Sequence, residues 1–462
     1  MDLERIKKMS LAAVNVAKVY LWGSLIGYVS WDPKREIGTF EYDYKFLNST
    51  VEPSPIKMPK KIGVYEFPEL ARGTFKGLPG MLADALPDKF GNALIDVWLA
   101  KQGRSASSFH PVERLCYIGA RGMGALEFKP SSYVGRKSNV PIDIREMVEL
   151  ASSILTNREN VNENLNAEDE KKKKEALTNL LVIGTSAGGA RAKCIIAYNE
   201  KTGEVKSGQL KTTSDFAYWL LKLDGVSENK DKELSDPKGF GRIEYAYYLM
   251  AKDCGIEMSE CRLYLENGRA HFMTKRFDRL DGGDKLHMQS LCGIAHYDFN
   301  VAGTYSYEQA LEVIRVVVSN KKLEALEQQY KRAVFNIIGR NQDDHTKNIA
   351  FLMNKDGDRS LSPAFDMSYS YNPTGEWTSQ HQMRVNGKRD QFEMEDLIEL
   401  SKKADLKKDK ATKILENITN VFKNWDEYAE KAGVFENFKN EIRKNLRTDL
   451  YVKKLTTSKK DI

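Results

Sequence analysis

Asp343-Asp344-His345-Thr346-Lys347-Asn348, followed later by Pro363-Ala364-Phe365-Asp366, sets a carboxylate, an amide after four intervening residues, and a second carboxylate in order along the chain. Those types suit phosphoryl transfer. Asp343 would take the proton of an attacking hydroxyl, while Asn348 and Asp366 would offer the hard oxygen ligands that magnesium takes beside phosphates and waters. An Asp-x-x-x-x-Asn pattern also arises by chance, so its context decides. Apolar stretches at Phe335–Gly339 and Ile349–Leu352 enclose it, which favours a site over a polar helix terminus with capping carboxylates. His345 is one of six histidines and has no base–nucleophile partner in the pattern, so a Ser-His-Asp triad is not supported.

Chemistry of this kind needs elements that hold phosphates and a nucleotide. Leu180–Ile183 reads as a strand running into Gly184-Thr185-Ser186-Ala187-Gly188-Gly189-Ala190-Arg191-Ala192-Lys193. Glycines there let backbone N–H groups approach phosphate, and Lys193 adds charge. The same turn also serves an ordinary hairpin with no ligand, and the G-x-x-x-x-G-K-[ST] loop is absent. Lys222 lies within the apolar strand Trp219–Leu223. A buried lysine there needs a counter-charge, which phosphates would supply; a strand-end lysine reaching solvent is the alternative.

The remaining pattern is β-rich first and helical later. Residues 18–22, 23–29 and 38–42 alternate as antiparallel strands, and 89–100 and 143–156 read as amphipathic helices. Cys194–Tyr198, Leu263–Leu265 and Ala270–Phe277 read as further strands, and Arg242–Gly255 as a helix. Beyond residue 306, helical periodicity covers 307–319, 322–339, 393–404, 408–431 and 433–450. Residues 157–174, with four consecutive lysines, form a polar run that reads as an exposed insertion. At 462 residues, two or three domains or lobes are expected. The net charge of +6 is the small difference between 71 basic and 65 acidic side chains; it suits a phosphate ligand or acidic partner without naming one. Five scattered cysteines without a C-x-x-C pair support neither a zinc site nor a disulfide framework. No run reaches the roughly 18 apolar residues of a spanning helix, and no secretory pattern opens the chain, so a cytoplasmic location is expected.

Together, Gly184-Thr185-Ser186-x-Gly188-Gly189-Ala190-Arg191-x-Lys193, Lys275-Arg276-Phe277-Asp278-Arg279, Asp343-x-His345-x-Lys347-Asn348 and Pro363-x-Phe365-Asp366 resemble the HipA-family serine/threonine kinase toxins, and Leu86-Pro87-Asp88 fits that family's N-terminal region. The resemblance implies an α+β, two-lobed protein-kinase-like fold with a β-rich N-terminal region and an all-helical C-terminal lobe. It divides the chain into an N-terminal domain (1–140), a kinase N-lobe (141–285) and a C-lobe (286–462).

It further implies that Asp343 is the catalytic base and that Asn348 and Asp366 bind Mg2+. ATP would be held by Gly188, Gly189, Ala190, Arg191, Ala192 and Lys193, by Lys222, by the backbone of the hinge Lys275, Arg276 and Phe277, and by His345, Thr346, Lys347, Asn348, Phe365 and Asp366. Ser186 matches a serine that such kinases autophosphorylate, and a phosphate in that turn would repel ATP. Lys275 stands where some members carry an acidic residue, and Met367-Ser368 after Asp366 leaves no D-F-G. The implied activity is that of the toxin of a bacterial toxin–antitoxin pair, acting on a translation component such as an aminoacyl-tRNA synthetase. A helix-turn-helix antitoxin is the implied partner, with DNA met mainly through it and no membrane involved. A small-molecule phosphotransferase and a nucleotide-binding corepressor are the alternatives.

Overall fold

Alternation in Val16–Leu21 (β1) turns Ala17, Val19 and Leu21 inward and Lys18 outward, the period-two pattern of a half-buried strand. The structure, a computed structural model, describes residues 14–101, 103–131, 142–156, 184, 191–209, 212–226, 238–280 and 283–450. It falls into two units. One runs to Lys238 and takes in Tyr264–Gln289 and Asn354–Gly357; the other comprises Gly239–Leu263, Ser290–Met353 and the chain from Asp358 onward. Among the described residues, no helix is long and apolar enough to cross a membrane. All five cysteines are buried and free.

In the first unit, β1 joins Ser24–Asp32 (β2), Ile37–Tyr42 (β3), Val64–Tyr65 (β4) and Leu126–Lys129 (β5) in an antiparallel sheet ordered β4-β3-β2-β1-β5. Trp22, expected to end the first strand, instead makes the hairpin turn with Gly23. Both residues have positive φ, 49° and 80°, as a two-residue turn matching strand twist requires.

Between β4 and β5, after one-turn helices at Arg72–Phe75 and Gly80–Ala83, come the longer helices Lys89–Lys101 (α1) and Pro111–Ile118 (α2). The α2 start carries a reciprocal cap: the His110 ring accepts from the Glu113 N–H, and the Glu113 carboxylate accepts from the His110 N–H. Sequence reading passed over this helix, although Pro111 at its first position and Glu113 two residues later signal one.

A second sheet, ordered β7-β6-β8-β10-β9, is formed by Lys193–Tyr198 (β6), Val205–Ser207 (β7), Ala217–Lys222 (β8), Cys261–Glu266 (β9) and Arg269–Lys275 (β10). Phe90, Leu94 and Val97 of α1, spaced to share one helix face, pack with Met147, Val148 and Ala151 of Ile144–Thr156 (α3) against Cys194, Ile196, Trp219, Leu221 and Met273 of the sheet. The other face of α1 buries Ile95 and Leu99 with Phe109 and Tyr117. Burial on two faces explains why α1 is apolar nearly all round.

A short strand, His287–Ser290 (β11), follows the second sheet, and the second unit is built mainly on helices of two turns or more. Those are Phe240–Asp253 (α4), Tyr307–Val317 (α5), Lys322–Ile338 (α6), Met394–Lys403 (α7), Lys408–Lys423 (α8), Trp425–Ala432 (α9) and Glu436–Asn445 (α10). Tyr247 of α4, fully buried, lies 5.8 Å by ring centroid from each of Phe335, Phe422 and Trp425. The single helix expected over 408–431 is broken at Asn424, a poor helix former, and the break lets Trp425 bury its ring in this cluster. The region is also not wholly helical. Ala350–Met353 (β12) and Arg359–Leu361 (β13) pair as an antiparallel hairpin, in the register Phe351 with Leu361 and Met353 with Arg359.

Candidate active site

Helix α6 ends at Ile338. Gly339 follows, and Arg340 at φ 56° turns the chain back, which places Asn341–Asn348 beside the helix that precedes them. The polar helix terminus left open for Asp343–His345 does not form; these residues lie in a loop closed by one helical turn at Thr346–Asn348. Asp343 is held through its backbone, its N–H donating to Ser370 Oγ at 3.0 Å and its carbonyl accepting from Asn348 Nδ2 at 2.9 Å. Its carboxylate is 44% exposed, and Oδ1 accepts from the Trp377 indole N–H at 2.7 Å.

Asp344, next in the chain, points the opposite way and is wholly buried. Its Oδ2 accepts from Tyr307 Oη and His381 Nδ1, both at 2.8 Å, and its Oδ1 from the Gln382 N–H at 2.8 Å. Burial works against its charge, but these three donors keep its carboxyl below the usual carboxylate range. The other nitrogen of His381 lies 3.1 Å from Arg447 Nη1. Burial, with Arg340 nearby, brings the Arg447 guanidinium down to about 10, so at neutral pH it can only donate. His381 Nε2 therefore accepts, and the proton sits on Nδ1, facing Asp344. Asn336 extends the network, donating to Tyr307 Oη at 3.0 Å and accepting from Asn341 Nδ2 at 2.9 Å. Asn341 Nδ2 also reaches the carbonyl of Asp366 at 3.3 Å.

Asp366 has φ 53°, a conformation that Asp tolerates better than most residues. Arg332 Nη2 ties the segment before it to α6 through the Ser362 carbonyl at 2.7 Å. A small pocket with a cavity volume of about 20 Å³ is bordered by Asp344, His345, Asn348, Phe365 and Asp366. The donor set fits a magnesium ion. Asn348 spends its NH2 on the Asp343 carbonyl, which turns its amide oxygen away as a free ligand, and Asp366 supplies a carboxylate on the same pocket. Thr346 is buried, with its hydroxyl on the Tyr297 carbonyl at 2.7 Å, while Lys347 Nζ sits 5.3 Å over the Phe299 ring. Of the residues expected from the sequence, Asn348 and Asp366 border this one pocket, and Asp343 lies on the same segment as Asn348. Sequence reading missed Tyr307, Trp377, His381 and Arg447, which no spacing connects to them.

The first unit holds the remaining predicted residues. Ser186, Gly188, Gly189 and Ala190, like the 157–174 insertion, lie outside the described residues. Ala192 is buried and its carbonyl accepts from the Leu223 N–H at 2.9 Å, which leaves Arg191 at the foot of β6. Lys193 and Lys222 pair directly across β6 and β8. Facing like charges repel, and Asp88, from Leu86-Pro87-Asp88, supplies a counter-charge: its carboxylate is 3.7 Å from Lys193 Nζ, both side chains 3% exposed.

Lys222 is the more open of the two lysines and is opposite Phe272 in β10. Lys275 is opposite Trp219, three residues along, so the two lysines are roughly 10 Å apart along the sheet. Lys275 is exposed and Phe277 half-buried. The Arg276 side chain turns inward instead, its Nε and Nη2 bonding both oxygens of Asp278 at 2.8 and 2.7 Å. Arg279 Nη1 also bonds Asp278, at 2.7 Å, and the Gly124 carbonyl, its Nη2 bonds the Gly122 carbonyl, and the Gly124 N–H donates to Asp278. Burial would raise the Asp278 carboxyl, but the two guanidinium groups outweigh it and hold it far below the usual range.

Residues 185–425 match the model of the HipA-like C-terminal domain, and residues 17–129 that of the HipA N-terminal domain. Among solved structures, a chain of the HipA, HipB and operator DNA complex of the Shewanella oneidensis MR-1 toxin–antitoxin system superposes with a TM-score of 0.65. The two share 17% identity, over 94% of this chain and 97% of that one, and so share a fold. The Helicobacter pylori proinflammatory kinase CtkA gives a TM-score of 0.34 at 12% identity, over 52% of this chain and 92% of that one. A search of curated proteins returned no match.

Proposed function

Because the chain belongs to the HipA family and has its kinase-like α+β fold, we propose that it is an ATP- and magnesium-dependent serine/threonine protein kinase, the toxin of a bacterial toxin–antitoxin pair. One observation carries the reading: a half-exposed Asp343, fixed through its backbone, on the segment whose Asn348 borders one pocket with Asp366. In the transfer, the acceptor's hydroxyl oxygen bonds to the γ-phosphorus of ATP. The bond from that phosphorus to the β–γ bridging oxygen breaks, ADP leaves, and the hydroxyl proton passes to Asp343.

Asn348 and Asp366 would hold magnesium, which when bound neutralises charge on the phosphates. Lys222 would hold phosphate, the backbone of Lys275–Phe277 would meet adenine, and Gly188–Lys193 would line the phosphate turn. His345, Thr346, Lys347 and Phe365 would complete the pocket. Ser186 would be the autophosphorylated residue. The substrate would be a translation component such as an aminoacyl-tRNA synthetase.

HipB and operator DNA in the matched Shewanella complex support a DNA-binding, helix-turn-helix antitoxin as partner, with DNA reached mainly through it. Intact-mass analysis after incubation with Mg-ATP tests the chemistry. We expect one added phosphate on the wild type and none on Asp343→Asn or Ser186→Ala. No phosphate on the wild type, despite measured ATP binding, would reject the kinase reading.

A further inference from the structure

Trp377 is absent from the catalytic set assigned above, yet its indole N–H is the one side-chain donor within hydrogen-bonding distance of the Asp343 carboxylate among the described residues. The contact is built from both sides. Backbone bonds to Ser370 and Asn348 fix Asp343 up to its Cα, leaving only the side-chain torsions free. Trp377 removes that freedom by holding Oδ1. Its own position is set by a closed loop in which the Asn372 N–H donates to the Thr378 carbonyl at 3.2 Å and Asn372 Oδ1 accepts from the Thr374 N–H at 3.1 Å. Gln382 Nε2 bonds the Trp377 carbonyl and also the Gln342 carbonyl at 3.1 Å, while the Gln382 N–H holds Asp344. One residue thereby clamps the tryptophan loop to the chain on either side of Asp343.

An indole N–H donates and cannot accept, so the bond has one direction and persists only while Asp343 presents an oxygen. With Oδ1 occupied and the side chain 44% exposed, the second oxygen is left to meet an incoming hydroxyl. Resting on the kinase reading, we propose that Trp377 is a positioning residue. It locks the carboxylate plane of Asp343 so that Oδ2 faces the acceptor, and the loop from Tyr371 to Gln380 borders the place where the acceptor hydroxyl arrives. Orientation of this kind acts on the rate of transfer and leaves nucleotide affinity alone.

The substitution Trp377→Phe keeps an aromatic ring and deletes the donor. Single-turnover phosphorylation by Mg-ATP, followed by intact mass, should slow by about tenfold to a hundredfold, with the Kd for Mg-ATP within about twofold of wild type. Proton–nitrogen spectra give a second readout, since the chain has six tryptophans. The indole resonance lost in Trp377→Phe should move upfield in Asp343→Asn, where a neutral amide replaces the charge, while the other five stay in place and attest an intact fold. An unchanged transfer rate in Trp377→Phe, or an indole resonance indifferent to Asp343→Asn, would overturn the proposal. A wild type that transfers no phosphate while that resonance still responds to Asp343→Asn would overturn the kinase reading and the positioning role with it, leaving only the contact.

Discussion

Neighbouring carboxylates in this chain behave in opposite ways because of what surrounds them. Asp343 stays half-exposed, while Asp344, one residue on, is sealed and saturated by Tyr307, His381 and the Gln382 N–H. Asp278 is the extreme case, wholly buried between Arg276 and Arg279. Replacing it by Asn leaves two buried guanidinium groups without a counter-ion, and loss of one partner from a buried pair costs about 3–5 kcal/mol. Denaturant melts at pH 7 of wild type and Asp278→Asn should differ by about that much. The sign with pH follows from linkage. Its folded carboxyl lies far below the unfolded value of about 3.9, so the stabilisation is present above that value and drains away as pH falls through the folded one. The gap between the two proteins should therefore narrow below about pH 4 and hold constant above about pH 5. Asp343, Asn348 and Asp366 could be picked out beforehand as candidates because their spacing is itself the signal. Asp344, Trp377 and His381 were not, since their partners come from residues 307, 377–382 and 447 and meet only when the chain folds. The hinge was read as meeting adenine through the backbone of residues 275–277, a role that leaves the Arg276 side chain to its buried ion pair with Asp278.

Among the elements, helix α6 bears most directly on the site, because its last turn sets where Asn341–Asn348 begins. Gly339 caps that turn at φ −81°, so any residue could adopt its backbone. What demands glycine is space: an added Cβ would stand 2.4 Å from Phe422 Cζ and 2.9 Å from the Phe335 carbonyl oxygen. The Gly339 carbonyl also accepts from the buried Tyr247 hydroxyl at 2.5 Å, fixing the turn to α4. Gly339→Ala should therefore displace Phe422 and strain this junction, costing about 1–3 kcal/mol as overpacking does. A thermal melt checks the loss, and Mg-ATP phosphorylation should fall with it at temperatures where the variant remains folded. Helices α1, α3, α4, α6 and α7 were legible because each repeats apolar residues at helical spacing over ten or more positions. The strands β12 and β13 are four and three residues long, too short for a period to declare itself. The break at Asn424 was hidden for a different reason: periodicity continues through it, and only the burial of Trp425 beside Tyr247 requires the bend.

At the scale of the molecule, each unit has a large core of its own among the described residues. One gathers α1 and α3 on the second sheet around Trp219; the other gathers α4, α6, α8 and α9 around Tyr247. Asp278 belongs to the first unit and Gly339 to the second, so the two substitutions interrogate the cores separately. Chains with more than one core depart from two-state unfolding when each core holds its own cooperative transition. Calorimetry of the wild type should then resolve two transitions. Asp278→Asn should lower one and Gly339→Ala the other, each by roughly 2–4 °C per kcal/mol lost for domains of about 150–250 residues. The double variant should lower both by the sum of the single effects, as distant sites without shared partners do. If instead one transition falls in both single variants, the two cores unfold as one cooperative body. Damage at Asp278 would then reach Asp343 through global stability alone, and loss of phosphorylation in Asp278→Asn would recover fully on cooling below that transition.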